Sequence, residues 1–234
     1  MPTGTRARME ELGSIRRRAE LPMSCREKIR ERRSVKLDGW DAYIRAIGAQ
    51  LEFDGSPLDR VQAGKRGLRD RLERLESEAN QSESLANRAR ANLLRASNSL
   101  RVELSSPRPD GAASYVTQKR AIGSAIAETE HELNAIAASV SHNGAARLGN
   151  AIEYTMRAMV ALEAELEVAE WVLRRHAGGH SDLSARIGRD FPDRLRSLSA
   201  AVATARKLSD GNAKPVEAEI ASSIGWLREL FASH

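Results

Sequence analysis

Cysteine is almost absent: Cys25 is the only one in 234 residues. No intramolecular disulfide and no C-x-x-C pair can form, which fits a reducing, cytoplasmic compartment. A lone thiol of this kind is expected to be a small, half-buried side chain. Aromatic residues are only 4% of the chain, and there are seven prolines. Any core must therefore be slender and rich in Leu, Ile, Val and Ala, which suits helices. Alternating β-branched runs are nearly missing, so no strand is predicted. No run of about 18 apolar residues occurs, so no transmembrane helix is expected. Arg6 and Arg8 lead into no apolar stretch, so no secretory signal is expected, and Glu10 and Glu11 argue against a transit peptide.

Motifs that carry chemistry are also missing. There is no G-x-x-x-x-G-K-[ST] loop, no dinucleotide fingerprint, no H-E-x-x-H and no G-x-S-x-G elbow. No cofactor, no metal site and no catalytic residue is predicted.

What the chain does have is a long helical pattern. Ser56 suits an N-cap, Pro57 the first helical position, and Asp59 the first turn. From there Val61, Leu68, Leu72, Leu75, Ala79, Ser82, Ala86, Ala89, Leu93, Ala96 and Leu100 recur at steps of three and four, with Lys65 breaking the first heptad. The pattern predicts one helix from Leu58 to Leu104, about 70 Å long at 1.5 Å per residue. Such a seam serves equally a helix within a bundle and a self-associating coiled coil. Its Ala and Ser centre buries little area, so close approach of helices is expected there. Ser105 to Gly111 holds Pro107 and Pro109 and predicts a loop.

Two further seams follow. Tyr115, Ile122, Ile126, Thr129, Leu133, Ile136 and Val140 predict a helix over 112–141. After a turn at His142–Gly144, Leu148, Ile152, Thr155, Met159, Leu162, Leu166, Ala169 and Leu173 predict another, closing at Gly178–Gly179. Shorter helices are expected beyond: a turn over Ser181–Gly188, a helix from Asp190 and Pro192, and a last helix from Lys214 and Pro215. Ahead of the bundle, Asp38 is expected to cap a short amphipathic helix with Trp40, Tyr43, Ile44 and Ile47, either a core anchor or an aromatic docking face.

Charge is unevenly spread. Residues 1–37 hold eleven Lys or Arg against five acids, a net of +6, which leaves −1 for the rest of a chain of formal charge +5. Two short helices, about 6–19 and 24–34, are expected in this arm. Arg16, Arg17, Arg18, Arg26, Lys28, Arg30, Arg32, Arg33 and Lys36 are its candidate contacts for an acidic protein or a phosphate backbone. The arm has no aromatics for base stacking, so nucleic-acid contact through it would be weakly sequence-specific. An anionic membrane surface is a further possible partner.

His176 and His180 are spaced i, i+4 and, with Asp182, sketch a three-ligand metal site, although two glycines interrupt the helical face. The segment Arg174 to His180 also resembles the R-x4–6-H motif of the all-helical HEPN ribonucleases, over this one short stretch. The resemblance implies Arg175 as a phosphate contact and His180 as general acid or base. Arg228 to His234 repeats the same spacing.

The expected architecture is all-α: an elongated antiparallel bundle with coiled-coil-like packing of three long helices plus shorter terminal ones. The expected domains are a helical or partly flexible basic arm (1–37), a short helix and turn (38–55), the long-helix bundle (56–180) and C-terminal helices that complete it (181–234). The expected role is non-enzymatic, an assembly or adaptor subunit that binds protein partners or itself. The alternatives are a nucleic-acid-binding subunit and a HEPN-like ribonuclease.

Overall fold

The computed structural model describes residues 23–52, 55–83, 85–142, 146–177 and 182–232, without side-chain detail at 23–33, 138, 139, 141, 142, 175–177, 182–190, 210 and 230–232. Its helices are α1 (Met23–Leu51), α2 (Pro57–Gln81), α3 (Asn87–Leu104), α4 (Ala112–His142), α5 (Ala146–Ala177), α6 (Asp182–Lys207) and α7 (Asp210–Ala232). The described residues contain no strand. The protein is an all-α helical bundle. By its internal contacts the chain forms two units, Met1–Leu37 and Asp38–His234. Of the first, the described part is the opening of α1, where Ser34, Val35 and Lys36 are exposed and Leu37 is buried.

The predicted single helix over 58–104 is two helices. Its start is as expected: the Leu58 N–H donates to Ser56 Oγ at 3.3 Å, with Pro57 in the first turn and Asp59 behind it. The helix stops at Gln81, and the chain reverses before α3. The polar run Asn80 to Glu83 has no apolar side chain to continue the stripe. Ser82 adopts extended backbone (φ −77°, ψ 109°) and ends the helix. The carbonyls left free there are taken up by one side chain. Arg90 donates from Nε to the Ala79 carbonyl (3.0 Å) and from its terminal nitrogens to those of Ser82 (2.6 Å) and Leu85 (3.3 Å). A cation at a helix C-terminus also opposes the negative end of the helix dipole. The Ala–Ser centre is therefore a reversal, not a site of close helix approach.

The reversal makes the central bundle four-membered. Arg101 meets Glu76 at 2.9 Å and Lys65 meets the Ser106 carbonyl at 2.9 Å, which runs α3 antiparallel to α2. Gln118 Nε2 donates to the Pro107 carbonyl (2.8 Å) and Thr129 Oγ1 to that of Ala96 (3.3 Å), which runs α4 back along α3. Tyr115 donates to the Leu166 carbonyl at 2.8 Å and Lys119 pairs with Glu170 at 2.5 Å, which lays α5 along α4. Arg60 Nε to Glu165 (3.1 Å) closes the ring between α2 and α5. Up-down-up-down order with short loops is a common solution for such amphipathic stripes.

The seam residues of α2–α5 fill one core. Leu68, Leu72, Leu75, Leu93, Leu100, Ile122, Ile126, Leu133, Met159 and Leu162 are all 1% exposed or less. Lys65, which broke the heptad, sits in this core and is 1% exposed. Its aliphatic stem fills the apolar stripe while its ammonium serves as a C-cap for α3. Ser105 and Ser106 add hydroxyl bonds to the carbonyls of Arg101 (2.7 Å) and Glu103 (2.6 Å).

A second set of buried apolar residues lies on the remaining helices. It comprises Tyr43, Ile44 and Ile47 of α1, Phe191, Leu195 and Val202 of α6, and Ile220, Ile224 and Leu227 of α7. Ala164 and Val168 bury a further face of α5. Two expected breaks are absent. The helices expected at 24–34 and 38–53 are one, α1, because Ser34 to Leu37 contains no helix breaker and Gly39 costs only about 1 kcal/mol in a helix. The stretch 182–207 is one helix that carries Pro192 in its interior, where lost hydrogen bonding costs about 3 kcal/mol and is offset by burial of Phe191 and Leu195. The break between the last two helices is present but falls earlier than Asp210 to Asn212, at Leu208 and Ser209: Asp210 opens α7, and the Asn212 and Ala213 N–H groups both donate to the Ser209 carbonyl at 3.0 Å. Pro215 lies inside that helix.

Candidate functional site

Four helices converge on a cleft of about 640 Å3, lined from α1, α2, α5 and α6. Its size falls within the range of small-molecule pockets. Alanines supply much of its floor: Ala42, Ala46 and Ala49 from α1, Ala158 and Ala161 from α5. Their short side chains leave the space that larger residues would fill. The walls carry five arginines (Arg45, Arg60, Arg71, Arg157 and Arg206) against three carboxylates (Asp38, Asp41 and Glu165), a surplus of two positive charges.

The carboxylates are all engaged. Glu165 takes Arg60, both of them largely buried. Asp38 takes Arg206 at 2.6 Å, and Asp41 takes Arg45 at 2.6 Å. Arg157 pairs at 2.5 Å with Glu153, one turn back on α5, where both are more than half exposed and the pair is worth little. Among the described residues Arg71 has no carboxylate partner. Its guanidinium stands 5.5 Å from the centroid of the Tyr154 ring, and that ring is 52% exposed. Arg71 therefore brings a charge and a fork of donors to the cleft with only a ring face to meet them.

A second charged cluster lies on the outer side of α4 and α5. The Glu163 side chain is exposed. Yet desolvation of its carboxyl, then the Glu130 and Glu167 charges, push it up to about 7, with Lys119 opposing. Desolvation also raises Glu130. Burial alone would raise Glu170, but hydrogen bonds and charge from Lys119 and Arg174 hold it below the usual carboxylate value. Glu167 is bound by Arg228 of α7 at 2.9 Å, and the same guanidinium lies 5.1 Å from the Tyr43 ring centroid. Burial foremost, then Glu167, raises the Tyr43 hydroxyl. These contacts tie α7 and α1 to α5. Among the described residues no three His, Cys, Asp or Glu side chains are grouped to hold a metal ion, and no helix is long and apolar enough to cross a membrane.

The predicted site residues fall elsewhere. Arg16, Arg17 and Arg18 lie outside the described residues. Arg26, Lys28, Arg30, Arg32 and Arg33 lie on α1 without side-chain detail, and Lys36 is exposed. Tyr43, Ile44 and Ile47 are buried and Trp40 is half-buried. His180 lies outside the described residues. Arg175 and His176 close α5, and Asp182 opens α6, all without side-chain detail. The cleft arginines were missed: their only signal in the sequence is membership of an arginine-rich chain. The chain matches no protein-family model, no curated protein and no solved structure.

Proposed function

We propose that the chain is a helical assembly or adaptor subunit that engages an acidic protein surface through residues 1–37. The observation that carries this reading is the segregation of charge: +6 in residues 1–37 against −1 in the remainder. Described ion pairs join helices of the remainder, as in Arg60–Glu165, Arg101–Glu76, Lys119–Glu170 and Arg206–Asp38. A net excess of six positive charges concentrated in one segment favours an acidic partner.

The test is a charge reversal in the full chain, Arg16, Arg17 and Arg18 each to Glu. Cross-linking with mass spectrometry after nuclease treatment should identify a protein contact of residues 1–37 that the reversed chain loses. The same charge favours a second reading, contact with a phosphate backbone. Under it a generic oligonucleotide binds with a steep salt slope, and the reversed chain binds it weakly. If the reversed chain keeps every contact of the native one, both readings fail.

A further inference from the structure

We propose that the cleft between α1, α2, α5 and α6 binds a small phosphate monoester with a flat apolar body, Arg71 being the principal contact of its phosphate. The inference does not depend on the adaptor reading, because none of its residues lies in 1–37.

The lining surplus of two positive charges matches a phosphate monoester, which carries about −1.5 to −2 at neutral pH, better than it matches a single carboxylate. The five cleft arginines are not equally available to a ligand. Arg45, Arg60 and Arg206 are held by Asp41, Glu165 and Asp38. Among the described residues Arg71 has no ion-pair partner, and Arg157 is held only by the exposed Glu153. A guanidinium offers paired N–H donors in the geometry that phosphate oxygens accept. Tyr154 holds the Arg71 guanidinium by cation–π contact, which limits its rotamer freedom before a ligand arrives. Tyr154 and Arg157 are three residues apart on α5, so they occupy neighbouring positions on one helix face.

The body of the ligand follows from the floor. Ala49, Ala158 and Ala161 offer a shallow apolar surface without hydrogen-bonding side chains, and the half-exposed Tyr154 ring stands beside it. A ring or similar flat group fits such a surface, while a branched polar group would leave its own donors and acceptors unmet.

Isothermal titration of the full chain with phenyl phosphate, inorganic phosphate and phenol tests the proposal. Phenyl phosphate should bind, inorganic phosphate several-fold more weakly, and phenol not measurably. Arg71→Gln should lower the phenyl phosphate affinity about tenfold to a hundredfold, the loss expected for charge-assisted hydrogen bonds. Arg157→Gln should lower it less. Arg95→Gln, on α3 outside the cleft, should leave it unchanged. Should Arg71→Gln fail to fold, the native chain still decides: phenyl phosphate should shift the backbone resonances of Tyr154 and Ala158 saturably. No saturable binding of phenyl phosphate, an affinity unaltered by Arg71→Gln in a folded variant, or resonance shifts confined to residues outside the cleft would each overturn the proposal.

Discussion

The α2–α5 bundle and the helices outside it are held together by different means. Within the bundle, continuous stripes of Leu and Ile meet around one core, and two cations, Lys65 and Arg90, cap helix ends from neighbouring segments. Outside it, α7 reaches α5 and α1 through Arg228, and α6 reaches α1 through Arg206, both partly exposed. The difference teaches where ligand contacts can be accommodated. A close-packed core admits a charge only where a backbone acceptor already meets it, as for Lys65, while a seam lined with alanine and arginine has room for more. The cleft lies on that seam, with one wall from the bundle and one from α1 and α6.

The comparison can be broken most severely in the core. Leu72 is 0% exposed, and Leu72→Ala should cost about 2–5 kcal/mol in chemical denaturation. A cost below 1 kcal/mol would mean that the core is far looser than described. Arg90 comes next. It satisfies three carbonyls at the reversal, and Arg90→Ala should cost about 1–3 kcal/mol. Arg90→Lys should recover little, since one ammonium cannot span the three acceptors.

The outer contacts should be weaker. Arg228 is 54% exposed in its pair with Glu167, so Arg228→Gln should cost less than about 1 kcal/mol. Its clearer signature is faster amide exchange in α7, with α2–α5 unchanged. An equal rise of exchange in α2 and α3 would erase the proposed distinction between the two regions.

The smallest effect concerns pH. The Glu163 carboxyl is raised to about 7 from an ordinary 4.5. The folded chain then holds a proton that the unfolded chain releases, so stability is full below about 4.5 and declines as pH rises through about 7. Glu163→Gln should melt with the native chain at low pH and above it at pH 8. A melting difference that is constant across this range would show that Glu163 titrates normally.

Much of the fold was legible in residues. The α4 stripe from Tyr115 to Val140 is buried at every predicted position, and the α5 stripe from Leu148 to Leu173 at every one but Leu173, which is half-buried. There the i, i+3 and i, i+4 spacing has Leu, Ile and Val to carry it. In 58–104 the same spacing passes through Ser82 and Ala86, residues small enough to satisfy a heptad and equally at home in a turn. The reversal depends on Arg90 meeting carbonyls up to eleven residues away, a tertiary contact that periodicity does not register. The prolines misled in the opposite direction: Pro192 and Pro215 read as helix starts, but packing around Phe191 and Ile220 keeps both within helices. The cleft could not be read at all. Arg71 comes from α2 and Tyr154 and Arg157 from α5, and only the packing of the two helices shows which arginine lacks a carboxylate among the described residues.

The reversal at 82–86 is the feature on which the four-helix order rests, and one distance tests it. Ala63 and Val102 are exposed on α2 and α3, and cysteines there, with Cys25 replaced by serine, accept spin labels. In a single helix the two positions would stand about 60 Å apart at 1.5 Å per residue. In the antiparallel pair, with helix axes about 8–10 Å apart, the labels should lie within about 25 Å by double electron–electron resonance. A distribution centred near the longer distance would contradict the four-helix bundle.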